Sequence, residues 1–431
     1  MILRYGPRYA WYGDDFTGAT DTLATLAKAG QRALLLLGVP DAARLASLGD
    51  LDALGIAGAA RTMDPETMRA ELEPVGRFFA GLGVPVMHYK CCSTFDSAPH
   101  VGSIGAAVEA LRPFFPNRFL PIVGGQPNIG RYCLFSTLFA AAGTGGTVHR
   151  IDRHPTMSRH PVTPMAEADL RRHLAAQGLE GLAALHYPDY ELDPAALAAR
   201  LDGLVEAGKG GVLLDVGAPE HLEPVGRLIH GRAQRSPLLA VGPSSVAQAL
   251  ATQWPAGSVS DTGLEPAVGP VFVMAGSLSP VTRRQVEAAS SFARIPADAG
   301  RLCGDPAYAA ALLEQVAGLL RAGRHALVWT APPDGNADTT QAAAVADATA
   351  AFIAAVVRAV PLRRVGILGG DTSSKAVAAL GCWGLSYVTT LSPGVTVSRS
   401  HSAETAADGL ELMLKGGQMG GEDLLDRLVG G

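Results

Sequence analysis

Two adjacent carboxylates, Asp14 and Asp15, lie close to the start of the chain, between an apolar stretch and a run of small residues. The residues after them repeat with helical spacing as far as Gly30, a residue type that often ends helices. A strand, a sharp turn and a helix would therefore place both acids at the carboxyl end of a first strand, where ligands bind in open α/β sheets. The alternative is that the acids only cap the helix N-terminus and complement its dipole.

A second polar segment follows the predicted strand Val84–Tyr89, again at a strand end. Its polar side chains are those of Lys90, Cys92, Ser93, Thr94, Asp96 and Ser97. Hydroxyls beside a lysine suit a small polyhydroxylated acid, with the ammonium facing its carboxylate or a phosphate. A Ser/Thr turn with a solvated lysine is the alternative. The neighbouring cysteines have no second pair at metal-ligand spacing, so we predict no metal or redox site there.

Two further features could contribute to the same site. Arg61 follows the apolar stretch 54–60, and its guanidinium fork could bind a carboxylate, although a lone arginine can equally lie on the surface. The long polar loop 143–164 carries His154 and His160 near Asp152. Because these histidines do not have helical metal-ligand spacing, we interpret the loop as a substrate contact. Metal-dependent hydrolysis and a plain connection remain alternatives.

Glycine-rich turns characterise the second half of the chain. They follow predicted strands at Gly276-Ser277 and at 369–372, and a third lies at 415–421. Small residues in such turns let backbone N–H groups approach a phosphate at the positive end of a helix. Together the turns predict a nucleotide site. Neither the Walker A motif nor the dinucleotide-binding glycine motif is present, which disfavours a Walker-type ATPase and a Rossmann dehydrogenase.

Apolar runs alternate with helical patterns along the chain, which predicts βαβ units and mostly parallel sheets. A stretch rich in Gly, Pro, Ser and Asp separates two such regions. We therefore predict an α/β protein with a domain at 1–255, a linker at 256–269 and a second domain at 270–431. Within the second domain, a helix is expected at Pro280–Ser291.

Composition narrows the functional class. The chain has 431 residues, of which 48% are hydrophobic and 17% charged, so large buried cores are expected. Its formal net charge of −5 and the lack of a Lys/Arg cluster argue against nucleic-acid binding. We predict no membrane span and no secretory signal. The odd number of cysteines, 5, fits reduced thiols in a cytoplasmic protein.

These motifs together resemble those of the four-carbon acid sugar kinases, a two-domain family that phosphorylates sugar acids with ATP. The similarity follows the family's order along nearly the whole chain, in the segments 13–21, 89–97, 160–165, 276–277, 369–373 and 415–421. The resemblance implies that the N-terminal domain binds the acid, that the C-terminal domain binds ATP, and that the active site lies in the cleft between them.

The resemblance also assigns residues to the two ligands. The positions on the substrate side are Asp14, Arg61, Lys90, Cys92, Ser93, Thr94, His160 and Thr163. The positions on the nucleotide side are Ser277, Gly369, Gly370, Asp371, Thr372 and Gly417. Asp371 stands where a glutamate is commoner in the family, which is a mild change.

The expected reaction is phosphoryl transfer, in which positioning and charge neutralisation carry the catalysis. Arg61 and Lys90 would hold the substrate carboxylate. Asp15, slightly ahead of Asp14, would accept the hydroxyl proton or hold the attacking oxygen. Mg²⁺ would arrive on the ATP phosphates, with no metal held by the protein alone. Closure of the domains would exclude water.

The identity of the acid stays open at this point. The segment 97–105 resembles the 3-oxo-tetronate kinase type more than the tetronate type. D-threonate, erythronate and the branched 3-oxo-isoapionate are alternative substrates, and a non-catalytic sugar-acid sensor is an alternative function. The sequence also leaves open whether the protein is a homo-oligomer.

Overall fold

The computed structural model describes residues 6–143, 145–160, 162–208, 210–255, 257, 263–276, 279–331, 342–417 and 419–430. It divides into two compact units, Met1–Ser260 and Asp261–Gly431. Ser277 of the predicted nucleotide site lies outside the described residues, and so does the side chain of Asp371.

The first unit is built on a parallel sheet. Its strands are β1 (Tyr9–Gly13), β2 (Ala33–Leu36), β3 (Ala53–Ala57), β4 (Val86–Lys90), β5 (Leu120–Gly124), β6 (Arg131–Leu134), β7 (Thr137–Ala141), β8 (Val148–Arg150), β9 (Ala183–Leu185), β10 (Gly211–Asp215) and β11 (Leu238–Gly242). The main sheet has the order β2-β3-β1-β4-β11-β5-β10-β9, while β6, β7 and β8 form a small antiparallel sheet.

The strand order explains where the site lies. The chain starts at β1, adds β2 and β3 on one side of it, and then places β4 on the other side. Gly13 at the end of β1 is in register with Ala57 of β3 and with Lys90 of β4. The segments that follow these three strands therefore leave the sheet at the same edge. The strand order reverses its direction at β1, and open α/β sheets bind ligands at such a reversal.

Helices cover this sheet. They are α1 (Phe16–Lys28), α2 (Ala42–Ser47), α3 (Pro65–Gly81), α4 (Ile104–Leu111), α5 (Leu170–Ala175), α6 (Pro194–Ala207), α7 (Leu222–Ala233) and α8 (Ser245–Ala251). The aromatic residues of β1 are fully buried between the sheet and these helices. Gly55 on β3 makes room for one of them, because a Cβ at that position would lie 2.1 Å from Trp11 Cε2.

The second unit also contains a mostly parallel sheet covered by helices, but the strands at one edge of this sheet are antiparallel. Its strands are β12 (Val271–Ala275), β13 (Ala293–Asp298), β14 (Ala326–Ala331), β15 (Arg364–Leu368), β16 (Cys382–Ser392), β17 (Val395–Ser402) and β18 (Glu411–Lys415). Their order is β13-β14-β12-β15-β18-β17-β16. The pairings from β13 to β18 are parallel, whereas β17 runs antiparallel to both of its neighbours.

The helices of the second unit are α9 (Pro280–Ala288), α10 (Ala299–Gly304), α11 (Pro306–Arg321), α12 (Ala342–Ala359), α13 (Gly370–Ala379) and α14 (Leu424–Gly430). The predicted α/β class with mostly parallel sheets and flanking helices is confirmed. The prediction that α9 extends to Ser291 is wrong, because the helix ends at Ala288 and Phe292 turns into the core. Within the described part of the chain, no helix is both long and apolar enough to span a bilayer.

Candidate active site

Three neighbouring strand ends bring the predicted acid-binding residues together. Asp14 and Asp15 follow β1, Arg61 lies in a short 3₁₀ turn (Ala60–Thr62) after β3, and Lys90 is the last residue of β4. The backbone links these segments, since the N–H of Arg61 donates to Asp14 O at 3.0 Å and the N–H of Asp14 donates to Lys90 O at 2.9 Å. The cluster is thus fixed by the sheet and does not depend on flexible loops.

Arg61 lies between the two carboxylates. Its Nη2 and Nε donate to Asp14 Oδ1 and Oδ2 at 2.8 and 3.2 Å, which is a bidentate pair. Its Nη1 lies 2.9 Å from Asp15 Oδ2. The other oxygen of Asp15 accepts a hydrogen bond from the N–H of Gly18 at 2.8 Å, so Asp15 is also the N-cap of α1. The capping interpretation is therefore correct for Asp15, but it accounts for only one of its two oxygens.

The two aspartates differ in exposure and in proton affinity. The side chain of Asp14 is 5% exposed and that of Asp15 is 30% exposed. Burial raises the pKa of Asp14, with Arg61 opposing this effect. Burial also disfavours ionised Asp15, but Arg61, Lys90 and the Gly18 N–H outweigh it and lower its pKa. Asp15 is the more accessible carboxylate and the one held more firmly in its ionised form.

The ammonium of Lys90 lies over the first turn of α1. A Cβ built on Gly18 would be 2.2 Å from Lys90 Nζ and 2.5 Å from Asp15 Oδ1, so only glycine leaves room for both groups. Burial lowers the pKa of Lys90, but Asp15 and Asp14 outweigh it and raise the pKa above its usual value. Among the described residues, no side chain or carbonyl forms a hydrogen bond or ion pair with this ammonium.

The segment after Lys90 is held in one conformation by its own side chains and by α5. Thr94 Oγ1 donates to Asp96 Oδ1 at 2.6 Å, and Cys92 Sγ lies 3.0 Å from Thr94 Oγ1. Phe95 has a φ of 55°, a conformation that its carbonyl contact with His173 Nε2 at 3.0 Å helps to hold. Cys92, Thr94 and Asp96 are thereby fixed beside Lys90.

The predicted loop residues His160 and Thr163 contact each other but are not joined to the Asp14 cluster by any hydrogen bond in the described structure. His160 Nδ1 accepts from the N–H of Thr163 at 3.1 Å and lies 2.9 Å from its Oγ1. His154 is a structural residue, because its Nδ1 accepts from the N–H groups of Thr156 and Met157, both at 3.2 Å. The described residues contain no cluster of three or more His, Cys, Asp or Glu side chains suited to a metal.

Three glycine turns meet at one edge of the second sheet, because β12, β15 and β18 are adjacent parallel strands. Gly276 packs so closely on Thr372 that a Cβ would lie 2.3 Å from Thr372 Oγ1. Gly369 has a φ of 129°, which favours glycine, and its N–H donates to Lys415 O at 2.9 Å. Gly370 begins α13, and a Cβ there would meet nothing within 4 Å. As far as the described residues go, the space at the Gly370 Cβ position is therefore open.

The turn after β18 is held through its carbonyl groups. Gln285 Nε2 on α9 contacts the carbonyl oxygens of Met419, Gly420 and Gly421 at 3.0, 3.1 and 2.9 Å. The Gly417 carbonyl accepts three hydrogen bonds. They come from Ser279 Oγ, Thr282 Oγ1 and the buried ammonium of Lys415. The described carbonyl groups of this turn are thus directed at side chains of α9, at Ser279 and at the Lys415 ammonium.

Because of Lys415, we expect the free energy of unfolding to increase with pH in the alkaline range. Burial lowers its pKa to about 8, so from about pH 8 to 10.5 the unfolded chain binds a proton that the folded chain does not, and stability rises with pH. Relative to Lys415→Met, the unmodified protein should gain about 2 kcal/mol between pH 8 and 10. Urea unfolding of both proteins measures this difference. If the difference in unfolding free energy between the two proteins stays constant with pH, the pKa of Lys415 is not lowered in the folded protein.

Several of these residues were not identified from the sequence. They are His173, Thr282, Gln285 and Lys415. Lys415 lies inside a motif that was recognised, so its position at a strand end was a usable signal. The other residues lie on helices and contact turns that are distant in sequence. Nothing in the sequence distinguishes them from ordinary polar residues.

Comparison with known proteins assigns a sugar-binding and a nucleotide-binding family model to the two halves of the chain. The family model described as "Sugar-binding N-terminal domain" matches residues 9–250, and "Nucleotide-binding C-terminal domain" matches residues 272–425. A relative from Paraburkholderia graminis, named 3-oxo-isoapionate kinase, is 38% identical, covering 95% of this chain and 92% of its own. A 3-oxo-tetronate kinase from Methylobacterium radiotolerans is 31% identical, covering 96% and 97%.

Solved structures share the fold. A structure from Salmonella typhimurium LT2 has a TM-score of 0.81 and 25% identity, covering 98% of both chains. One from Haemophilus influenzae has a TM-score of 0.76 and 24% identity, covering 97% of this chain and 98% of its own. Since both family models match in order and together span most of the chain, the protein belongs to the four-carbon acid sugar kinase family.

Proposed function

We propose that this sugar-acid kinase transfers the γ-phosphoryl group of ATP to a hydroxyl of a small acid carrying a 3-oxo group. The observation that carries the proposal is the Asp14–Asp15–Arg61–Lys90 cluster at adjoining strand ends. It combines an accessible carboxylate with an ammonium that has no hydrogen bond or ion pair in the described part of the chain. Such a cluster can bind an anionic substrate and orient its hydroxyl at the same time.

Lys90 is the primary anchor for the substrate carboxylate. Its ammonium is nearly buried and remains charged because of the aspartates beside it. Arg61 directs three of its five N–H groups at Asp14 and Asp15, which leaves two for the substrate. Arg61 therefore orients the aspartates as well as the acid, a double role that the sequence did not indicate.

Asp15 is the residue that receives or orients the hydroxyl proton. It is more exposed than Asp14, and its ionised form is available at neutral pH because its pKa is lowered. A weak base is sufficient here, since phosphoryl transfer passes through a loose transition state with little bond formation to the nucleophile. Asp14 holds Arg61 in place through its bidentate pair.

ATP occupies the glycine turns of the second unit. Backbone N–H groups at 369–372 and in the turn after β18 would bind its phosphates, aided by the dipole of the ten-residue helix α13. Mg²⁺ would be held mainly by the phosphates and by water, as is usual for this ion. It would neutralise charge on the phosphates during transfer.

ADP release tests the function directly. We expect turnover with 3-oxo-tetronate or 3-oxo-isoapionate, because relatives with both names align along almost the full chain, and little turnover with D-threonate or erythronate. Binding of the acids without ADP release would instead support a non-catalytic sensor, which the kinase names of the relatives do not favour. Absence of both binding and turnover with all of these acids would overturn the proposal.

Gly370→Val should raise the KM for ATP about 10-fold or more while leaving acid binding unchanged. A Cβ at Gly370 meets none of the described residues within 4 Å and its backbone is helical, so the variant should fold, and the added bulk should block only the nucleotide. Gly318→Val is a matched control, because Gly318 is a helical glycine on α11 whose Cβ also meets nothing within 4 Å. Equal ATP kinetics in the two variants would show that the turn does not bind ATP.

A further inference from the structure

A second polar group lies beside the acid site, around Asp21 on α1. Ser244 Oγ, just after β11, donates to Asp21 Oδ2 at 2.5 Å. Gln126 Nε2, just after β5, donates to the same oxygen at 3.0 Å. Thr22 Oγ1 in turn lies 3.0 Å from Ser244 Oγ. Two further strand ends of the main sheet thus converge on one carboxylate oxygen.

The remaining acceptors of this group have no partner in the described structure. Both donors bind Asp21 Oδ2, and no described residue donates to Asp21 Oδ1 or to Gln126 Oε1. Gln126 is only 1% exposed, and its backbone pairs with Arg131 in both directions, at 2.8 and 3.2 Å. Asp21 is half-buried, and neither oxygen is among the described side-chain atoms that are fully enclosed without a partner, so both acceptors are held in place where a ligand or water can still donate to them.

Asp21 lies on the face of α1 that the Lys90 ammonium covers. It lies one turn beyond Gly18, above which the Lys90 ammonium is found. Residues three apart share a helix face, and helical side chains lean toward the N-terminus, here toward Gly18. Ser244 follows β11, the strand that pairs with β4 and hence lies next to Lys90. The acceptors and the ammonium are therefore neighbours along one edge of the sheet.

We propose that Asp21 Oδ1 and Gln126 Oε1 form a hydroxyl-recognition subsite for the sugar acid. Two fixed acceptors without a donor are complementary to hydroxyl groups and unfavourable for a second carboxylate or a phosphate. The subsite would thus select hydroxylated acids over dicarboxylic acids of the same length. This inference rests on the proposed function, since it concerns the same substrate, but it assigns residues that the motif comparison did not.

Calorimetry of acid binding, which does not require turnover, tests the subsite. The ligands are 3-oxo-tetronate and its two analogues that each lack one hydroxyl, 4-hydroxy-3-oxobutanoate and 2-hydroxy-3-oxobutanoate. The unmodified protein should bind one analogue about 10- to 100-fold more weakly than the full acid. Asp21→Asn keeps the shape but presents an amide donor, so it should weaken binding of the full acid similarly and lose the preference over that analogue.

Thr22→Val is the matched control, because Thr22 contacts Ser244 but not Asp21. It should retain the preference for the full acid even where stability falls. If Asp21→Asn does not fold, Gln126→Leu replaces it, since it removes the other acceptor. Equal weakening of the full acid and both analogues in the variant would make Asp21 a structural residue and overturn the proposal. Normal selective binding without ADP release would reject the kinase function while leaving the subsite intact.

Discussion

Asp15→Asn is expected to lower kcat by about 10²- to 10⁴-fold, with little change in folding or in the affinity for the acid. The substitution preserves the shape of the side chain and its acceptor for the Gly18 N–H, and asparagine caps helices about as well as aspartate. It removes the negative charge that faces Arg61 and the oxygen that would receive the hydroxyl proton. Steady-state kinetics at saturating ATP measure the effect on kcat.

Asp41→Asn provides the comparison for this variant. Asp41 also caps a helix through one oxygen, which accepts from the N–H of Arg44 at 2.7 Å, but it lies on the surface at α2. Its variant should have normal kinetics. If Asp15→Asn behaves in the same way, Asp15 is only a helix cap. If Asp14→Asn causes the larger loss of kcat, the assignment of the base must be reversed.

The strand-end positions of the main residues could be predicted from the sequence because each follows a short apolar run. Such runs identify parallel strands, and parallel strands end at one edge of a sheet. This placed Asp14, Asp15 and Lys90 near a ligand site without any knowledge of strand order. The long antiparallel strands β16 and β17 were not predicted, because buried and exposed residues do not alternate regularly along them.

The partners of each side chain could not be predicted. Arg61 was expected to bind a substrate carboxylate, but the structure also pairs it with two protein carboxylates, a contact that depends on β3 and β1 being adjacent. Gln285 holds a turn that lies 134 to 136 positions further along the chain. Contacts across such separations leave no periodic trace in the sequence, because they depend on how helices pack on the sheet.

Arg61→Ala should destabilise the protein by about 3–5 kcal/mol, in addition to weakening acid binding. The substitution leaves Asp14 nearly buried beside Asp15, with only Lys90 to offset the two charges. Burial already raises the pKa of Asp14, and the loss of Arg61 should raise that pKa further. Because the folded variant would then bind a proton more readily than the unfolded chain, it should regain part of its stability as the pH falls. Urea unfolding at pH 7 and pH 5 measures both effects.

Two comparisons separate this mechanism from a general loss of packing. Arg69→Ala removes an exposed arginine whose Nη2 lies 2.9 Å from Glu109 Oε2, and it should cost less than about 1 kcal/mol. The Asp14→Asn, Arg61→Ala double variant should be more stable than Arg61→Ala alone, because it removes one of the uncompensated charges. A double variant that is less stable than Arg61→Ala would mean that packing, not charge, makes Arg61 important. In that case the bidentate pair is not what holds the acid site in its geometry.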